Sequence, residues 1–120
     1  MEEYALIMRH ENGADVASPE EIARWMEQTR NWIGGIAAQD KFVKGTGLLF
    51  NDACVLTRRN GQLLLSDGAF GEKQQTIGGL IIIRAESPEE AATFARDCPV
   101  LQGEGNSVEI RRVVQGGVES

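Results

Sequence analysis

The sequence predicts an α+β domain, and three observations carry the prediction. Two Ser-Pro-Glu-Glu segments, at residues 18–21 and 87–90, mark helix starts. Short apolar runs flank both and read as strands. An Asn-Gly pair at residues 60–61 lies between two further apolar runs and reads as a hairpin turn. The order is then β-α-β, an inserted hairpin, and β-α-β. Without the hairpin this is the split βαβ plan of ferredoxin-like domains, with two helices on one face of an antiparallel sheet.

Tyr4-Ala5-Leu6-Ile7-Met8 is the first strand, broken by Glu11-Asn12-Gly13. Ser18 caps the first helix, Pro19 suits its first position and Glu21 completes a capping box. Behind the cap, Ile22, Met26, Thr29, Ile33 and Ile36 recur at helical spacing with Trp25 and Trp32 beside them, which predicts one buried face. Gly34-Gly35 weakens the last turn. Phe42 to Phe50 reads as a strand bent or bulged at Gly45 and Gly47. Ala53–Arg58 and Gln62–Ser66 form the hairpin, and Gly79–Arg84 is a strand. The second helix runs from Ser87 to Pro99 with Ala91, Ala92, Phe94, Ala95 and Cys98 as its small apolar face. Val108, Ile110 and Val113-Val114 mark the last strand, so residues 1–114 form one domain and residues 115–120 are expected to fray.

Leu80-Ile81-Ile82-Ile83 is apolar without alternation. A sheet covered on one face alternates, so an unbroken run implies cover on both. A chain of 120 residues has no spare element for the second face. The expectation is a homodimer paired through its sheets, two-fold symmetric.

Twelve Lys+Arg against eighteen Asp+Glu give a net charge of −6. That sign opposes direct nucleic-acid binding and adhesion to anionic membranes. No apolar stretch approaches the ~18–20 residues needed to span a bilayer, and the acidic start Met1-Glu2-Glu3 is unlike a signal peptide. The expected location is the cytoplasm. Cys54 and Cys98 are too few for a disulfide framework, and with the single histidine, His10, they give no zinc spacing. Neither a metal nor a cofactor is implied, since no dinucleotide fingerprint or P-loop is present.

The segment Asp67-Gly68-Ala69-Phe70-Gly71-Glu72-Lys73-Gln74-Gln75-Thr76-Ile77-Gly78-Gly79 resembles the DGPFAETKE signature of the YCII-related (DGPF-domain) family. Cys98-Pro99 after the second helix and Ser107-Val108-Glu109-Ile110-Arg111, similar to the family's closing GSVEVRP strand, extend the resemblance over residues 4–114. It implies a dimeric α+β barrel and a bacterial source. The family's activity is largely unestablished. Relatives in the wider superfamily include isomerases, dehalogenating enzymes and monooxygenases, and some DGPF proteins are associated with alternative sigma factors. Asp67, Gly68, Phe70 and Glu72 match the signature. Ala69 replaces its Pro, Gly71 its Ala and Lys73 its Thr, while Gln74 and Gln75 replace its Lys–Glu pair.

Asp67 is the first candidate for chemistry. It ends a strand beside Leu63–Leu65 and Phe70, and apolar neighbours that strip water from a carboxylate favour general-base work. The competing reading is a turn Asp whose side chain accepts backbone N–H groups. His10, at the end of the first strand, is a candidate proton carrier. The spacing alone does not put it beside Asp67. Phe70, Glu72 and Lys73 are candidate ligand contacts, with a solvated loop as the plainer reading of the two charges. Trp25, Met26 and Trp32 read as core. Arg58-Arg59 and Arg111-Arg112 are too short for a nucleic-acid patch.

Three functions follow from different classes. One is a small-molecule enzyme in which Asp67 moves a proton with His10 as partner. Another is a ligand-sensing or regulatory homodimer, linked to transcription through a basic protein partner. The third is a structural or vestigial dimer, which suits the loss of charge at Gln74 and Gln75.

Overall fold

The computed structural model of the chain describes residues 1–11, 18–49, 52–68 and 75–114. In chain order these form β1 (Glu2–Glu11), α1 (Pro19–Ala38), β2 (Phe42–Gly47), β3 (Cys54–Arg59), β4 (Gln62–Asp67), β5 (Gln75–Ala85), α2 (Pro88–Ala95), a 3-10 turn (Pro99–Gln102) and β6 (Ser107–Arg112). The main sheet has the order β2-β5-β1-β6 with every pair antiparallel, and β3-β4 form a separate two-stranded sheet. This is the ferredoxin-like α+β plan with an inserted hairpin.

Both helices start as their caps require. Ser18 Oγ accepts the Glu21 N–H at 3.2 Å and Ser87 Oγ accepts the Glu90 N–H at 3.1 Å. The Glu90 carboxylate also accepts from the Glu86 N–H at 3.1 Å and from Lys41 Nζ at 3.0 Å, which ties the start of α2 to the strand before it. The hydrogen bond from Lys41, and after it the one from Glu86, hold the Glu90 carboxyl below the usual carboxylate range. α1 ends with Asp40 in the left-handed region at φ 59°. The Lys41 N–H donates to Ile36 O and the Asp40 N–H to Ala37 O, so the last carbonyls are satisfied without a glycine.

The core lies between the sheet and the two helices. Tyr4 and Leu6 of β1 and Ile81, Ile83 and Ala85 of β5 face Ile36 of α1 and Ala91 and Ala95 of α2. Alanines on α2 bring that helix close to the sheet. On α1 the buried face is displaced from the expected one. Met26 is exposed, while Trp32 and Ile33 join Ile36 against the core, and Trp32 Nε1 donates to Phe94 O at 2.9 Å. That bond fastens α1 to α2.

The opposite sheet face carries Ala5 and Ile7 of β1 beside Ile82 and Leu80 of β5. No helix covers it among the described residues. Leu80 is half-buried, whereas Ile82 is 8% exposed, shielded by its own sheet between Ala5 and Lys44.

Several boundaries differ from expectation. β2 stops at Gly47, and Phe50 lies outside the described residues. The expected bulge in β2 is at Phe42–Lys44 rather than at the glycines. Gly45 instead faces Ile81, with room for no more than hydrogen there: a Cβ would come within 2.7 Å of Ile81 Cγ2. β5 begins at Gln75, four residues before the expected Gly79. β6 ends at Arg112, so Val113 and Val114 lie beyond the strand, although the Val113 N–H still donates to Glu3 O at 2.9 Å. Residues 115–120 are outside the described set.

The glycines of α1 and β5 give opposite expectations. Gly34 and Gly35 have open space where a Cβ would stand, so Gly34→Ala and Gly35→Ala should each raise stability by about 0.5–1 kcal/mol. A Cβ on Gly79 would lie 2.8 Å from Thr46 O and 3.2 Å from Gly47 Cα, so Gly79→Ala must push β2 off β5. Urea midpoints of the three variants should move up, up and down.

Candidate functional site

His10 sits near the end of β1 on the helix-facing side, in line with Tyr4, Leu6 and Met8. The register of β1 against β5 slips beside it. Met8 pairs with Gly79, but Arg9 pairs with Ile77, leaving Gly78 as the extra residue of a β-bulge. The His10 ring rests on Gly78, and any side chain at that position would collide with it. Gly78 O also accepts the Leu48 N–H at 2.9 Å, which ties the segment after β2 to the bulge. Gly78 and Gly79 both lie where backbone or ring comes close to the strand. The pair lies inside β5, where Gly79 admits β2 and Gly78 admits the imidazole.

The ring is half-buried, and that burial pushes the His10 imidazole below its ordinary value of 6.5. At neutral pH it is therefore largely uncharged and able to accept a proton.

The far end of β1 is held by Asn106, a residue the sequence reading did not single out. Its Oδ1 accepts the Glu11 N–H at 2.9 Å, and its Nδ2 donates to Val100 O at 3.1 Å. Glu11 follows His10, so Asn106 positions the end of the strand that carries the histidine. Only its place after Gly103-Glu104-Gly105, a turn-like run, hinted at a polar anchor.

Asp67 occupies the last position of β4, opposite Cys54 of β3. The turn that follows is made by backbone: Gly68 takes φ 91° and its N–H donates to Ala53 O at 2.8 Å. Among the described residues the Asp67 carboxylate has no hydrogen-bond or ion-pair partner. The turn therefore does not depend on its side chain. Asp67 is exposed, and so are Leu63 and Leu65 near it, so the apolar enclosure expected from the sequence is not supplied by the described residues of this chain.

The structure puts His10 and Asp67 on different sheets, with Thr76 as the cross-strand partner of His10. The segment 69–74 joins the Asp67 turn to β5. Phe70, Glu72 and Lys73 fall in it and lie outside the described residues. Among the described residues, no three His, Cys, Asp or Glu side chains gather as metal ligands. Cys54 is exposed and Cys98 buried, both as free thiols, and burial pushes the Cys98 thiol up. A shallow hollow among the described residues lies elsewhere, between Gln39, Lys41, Glu89, Glu90, Thr93, Phe94 and Asp97, and is widely open to solvent.

His10 is the chain's one histidine, which makes a clean pH test possible. Its folded value is lowered, so on acidification the unfolded chain takes up the proton first. The neutral ring's contribution is present above pH 6.5 and is lost as pH falls below that value through the lower folded one. Thermal melts of the wild type should drop as pH falls below about 6.5, and His10→Gln should flatten that portion of the curve. A separate melt of Asn106→Ala should show a loss of about 0.5–1.5 kcal/mol, because Glu11 N–H exchanges its side-chain acceptor for water.

No helix among the described residues is long and apolar enough to cross a membrane. No curated protein matches the chain in sequence. The profile of the YCII-related domain matches residues 3–115, which takes in both sheets, both helices, His10 and the Asp67 turn. With nearly the whole fold inside that match, the chain belongs to the YCII-related domain family.

Proposed function

We propose that this protein is a homodimeric small-molecule enzyme in which Asp67 transfers a proton and His10 assists. The observation that carries the reading is the state of Asp67. Its carboxylate serves no turn, cap or ion pair among the described residues, yet it heads the segment that resembles the family signature. A carboxylate without a structural task is available for chemistry. His10 supports the same reading as a neutral, half-buried base whose ring has a glycine-lined seat. The ligand contacts are Phe70, Glu72 and Lys73, no cofactor is required, and the two copies meet through the outer sheet faces at Ile7, Leu80 and Ile82. The two free thiols suit the reducing cytoplasm of a bacterium.

A second reading, a ligand-sensing homodimer tied to transcription, rests on the net charge of −6. An acidic surface steers toward basic partners. A co-purifying protein released at high salt would favour it.

The test is a thermal-shift screen of small organic acids and lactones against wild type, Asp67→Asn and His10→Gln. Asp67→Asn should fold with stability within about 0.5 kcal/mol of wild type, because the side chain holds nothing in place. Compounds that raise the wild-type melt should fail to raise that of Asp67→Asn, and turnover of any such compound should be lost with it. Hits that stabilise Asp67→Asn as strongly as wild type would remove Asp67 from the site.

A further inference from the structure

The hairpin β3-β4 is an isolated pair of strands, and such a pair is marginal in water without further packing. Its register sorts the side chains. Cys54 and Asp67, Leu56 and Leu65, and Arg58 and Leu63 share one face; Val55 and Ser66, Thr57 and Leu64, and Arg59 and Gln62 share the other. On the first face Leu56, Leu63 and Leu65 are 62%, 56% and 67% exposed. On the second, Val55, Thr57 and Ser66 are half-buried. The unpacked side of the hairpin is its leucine face.

The charges on that face complement a second copy of themselves. Arg58 stands toward the tip and Asp67 at the base, with the Leu56–Leu65 pair between them. Asp67 has no partner among the described residues. Arg58 donates through Nη1 to Gly61 O at 3.2 Å and has further N–H groups to offer. A two-fold axis across the strands at the Leu56–Leu65 pair reverses their direction and lays β3 on β3 and β4 on β4. Each Arg58 then faces Cys54 of the second copy, one strand spacing of about 4.8 Å from its Asp67 and within reach of an arginine side chain. An axis along the strands would instead gather both aspartates at one end and both arginines at the other. Charge therefore selects the antiparallel arrangement. The face itself is neutral, with one arginine and one aspartate, on a chain whose net charge of −6 opposes association elsewhere.

We infer that the hairpins of two copies pack leucine face on leucine face, antiparallel about a two-fold axis, and that Arg58 of the second copy holds Asp67. Such a contact uses the same patch on both copies, so it closes on itself. It is separate from the sheet pairing proposed above and stands without it. The outer strip stays with the sheets, and the hairpins associate the copies a second time. The arginine favours the ionised carboxylate, the form that accepts a proton, and a single N–H on one oxygen leaves the other open.

Sedimentation of the full chain at about 10–300 µM tests it, since a face of this size makes a reversible contact. Leu56→Ser/Leu65→Ser should sediment at half the wild-type mass with its circular dichroism unchanged. That holds whether the wild type is a tetramer that also pairs through its sheets or a dimer that does not. Arg58→Asp and Asp67→Arg should each weaken the association about tenfold or more. Their combination should restore most of it, because the pair re-forms with its signs exchanged. Cys54 lies on the same face and Cys98 is buried. A maleimide should therefore label Cys54 about tenfold more slowly in the wild type than in the leucine variant. A leucine variant with the wild-type mass would overturn the hairpin contact, and a mass of two copies for both would leave the sheet dimer standing. Half the mass with strictly additive charge variants would overturn the antiparallel pairing and put the leucines against another part of a second copy. A wild type that is monomeric across the range would overturn this contact and the sheet dimer together.

Discussion

The fold depends on β5. It runs between β2 and β1, and its apolar side chains project to both sides. Toward the helices, Ile81, Ile83 and Ala85 are almost wholly removed from water. Burying an isoleucine of this kind contributes about 1.5–3 kcal/mol, and both helices find their seat on the same three residues and their β1 neighbours, Tyr4 and Leu6. Outward, Leu80 and Ile82 make the sheet apolar on its second face as well. A central strand with two apolar faces fixes the register of its neighbours strongly, because a slip of one residue would exchange the faces.

The same strand builds the candidate site where its apolar run gives way to glycine. Gly79 admits the backbone of β2, and Gly78 is the bulged residue on which His10 rests. The histidine is thus oriented by missing side chains as well as by the strand that carries it. Its half-burial keeps the ring uncharged near neutrality. Asn106 closes the end of β1 from the opposite side of the sheet, so the position of the imidazole is set by three strands and a loop that are distant in sequence.

Much of the architecture was legible in the sequence because it is encoded locally. Ser-Pro-Glu-Glu starts both helices by the hydrogen bonds its side chains can make, and Asn60-Gly61 turns the hairpin with both residues at positive φ, 52° and 77°. What failed did so for tertiary reasons. Met26 has helical spacing with Ile33, but the buried face of α1 is set by where Trp32 reaches α2. β5 begins at Gln75, before any apolar signal, because Glu11 and His10 supply ladder partners to Gln75 and Thr76. The bulge at Gly78 left no trace in the pattern, since it depends on β1. Asp67 was found from its neighbours in a motif, yet the burial inferred from flanking leucines was wrong for the described chain, because those leucines point into water themselves.

That last discrepancy connects chemistry to assembly. A carboxylate works as a general base more readily when its hydration is removed, and water is removed only by surfaces that are themselves stabilised when covered. Leu56, Leu63 and Leu65 lie on the same side of the hairpin as Asp67, as the cross-strand pairing requires. Whatever covers the leucines therefore also covers the carboxylate.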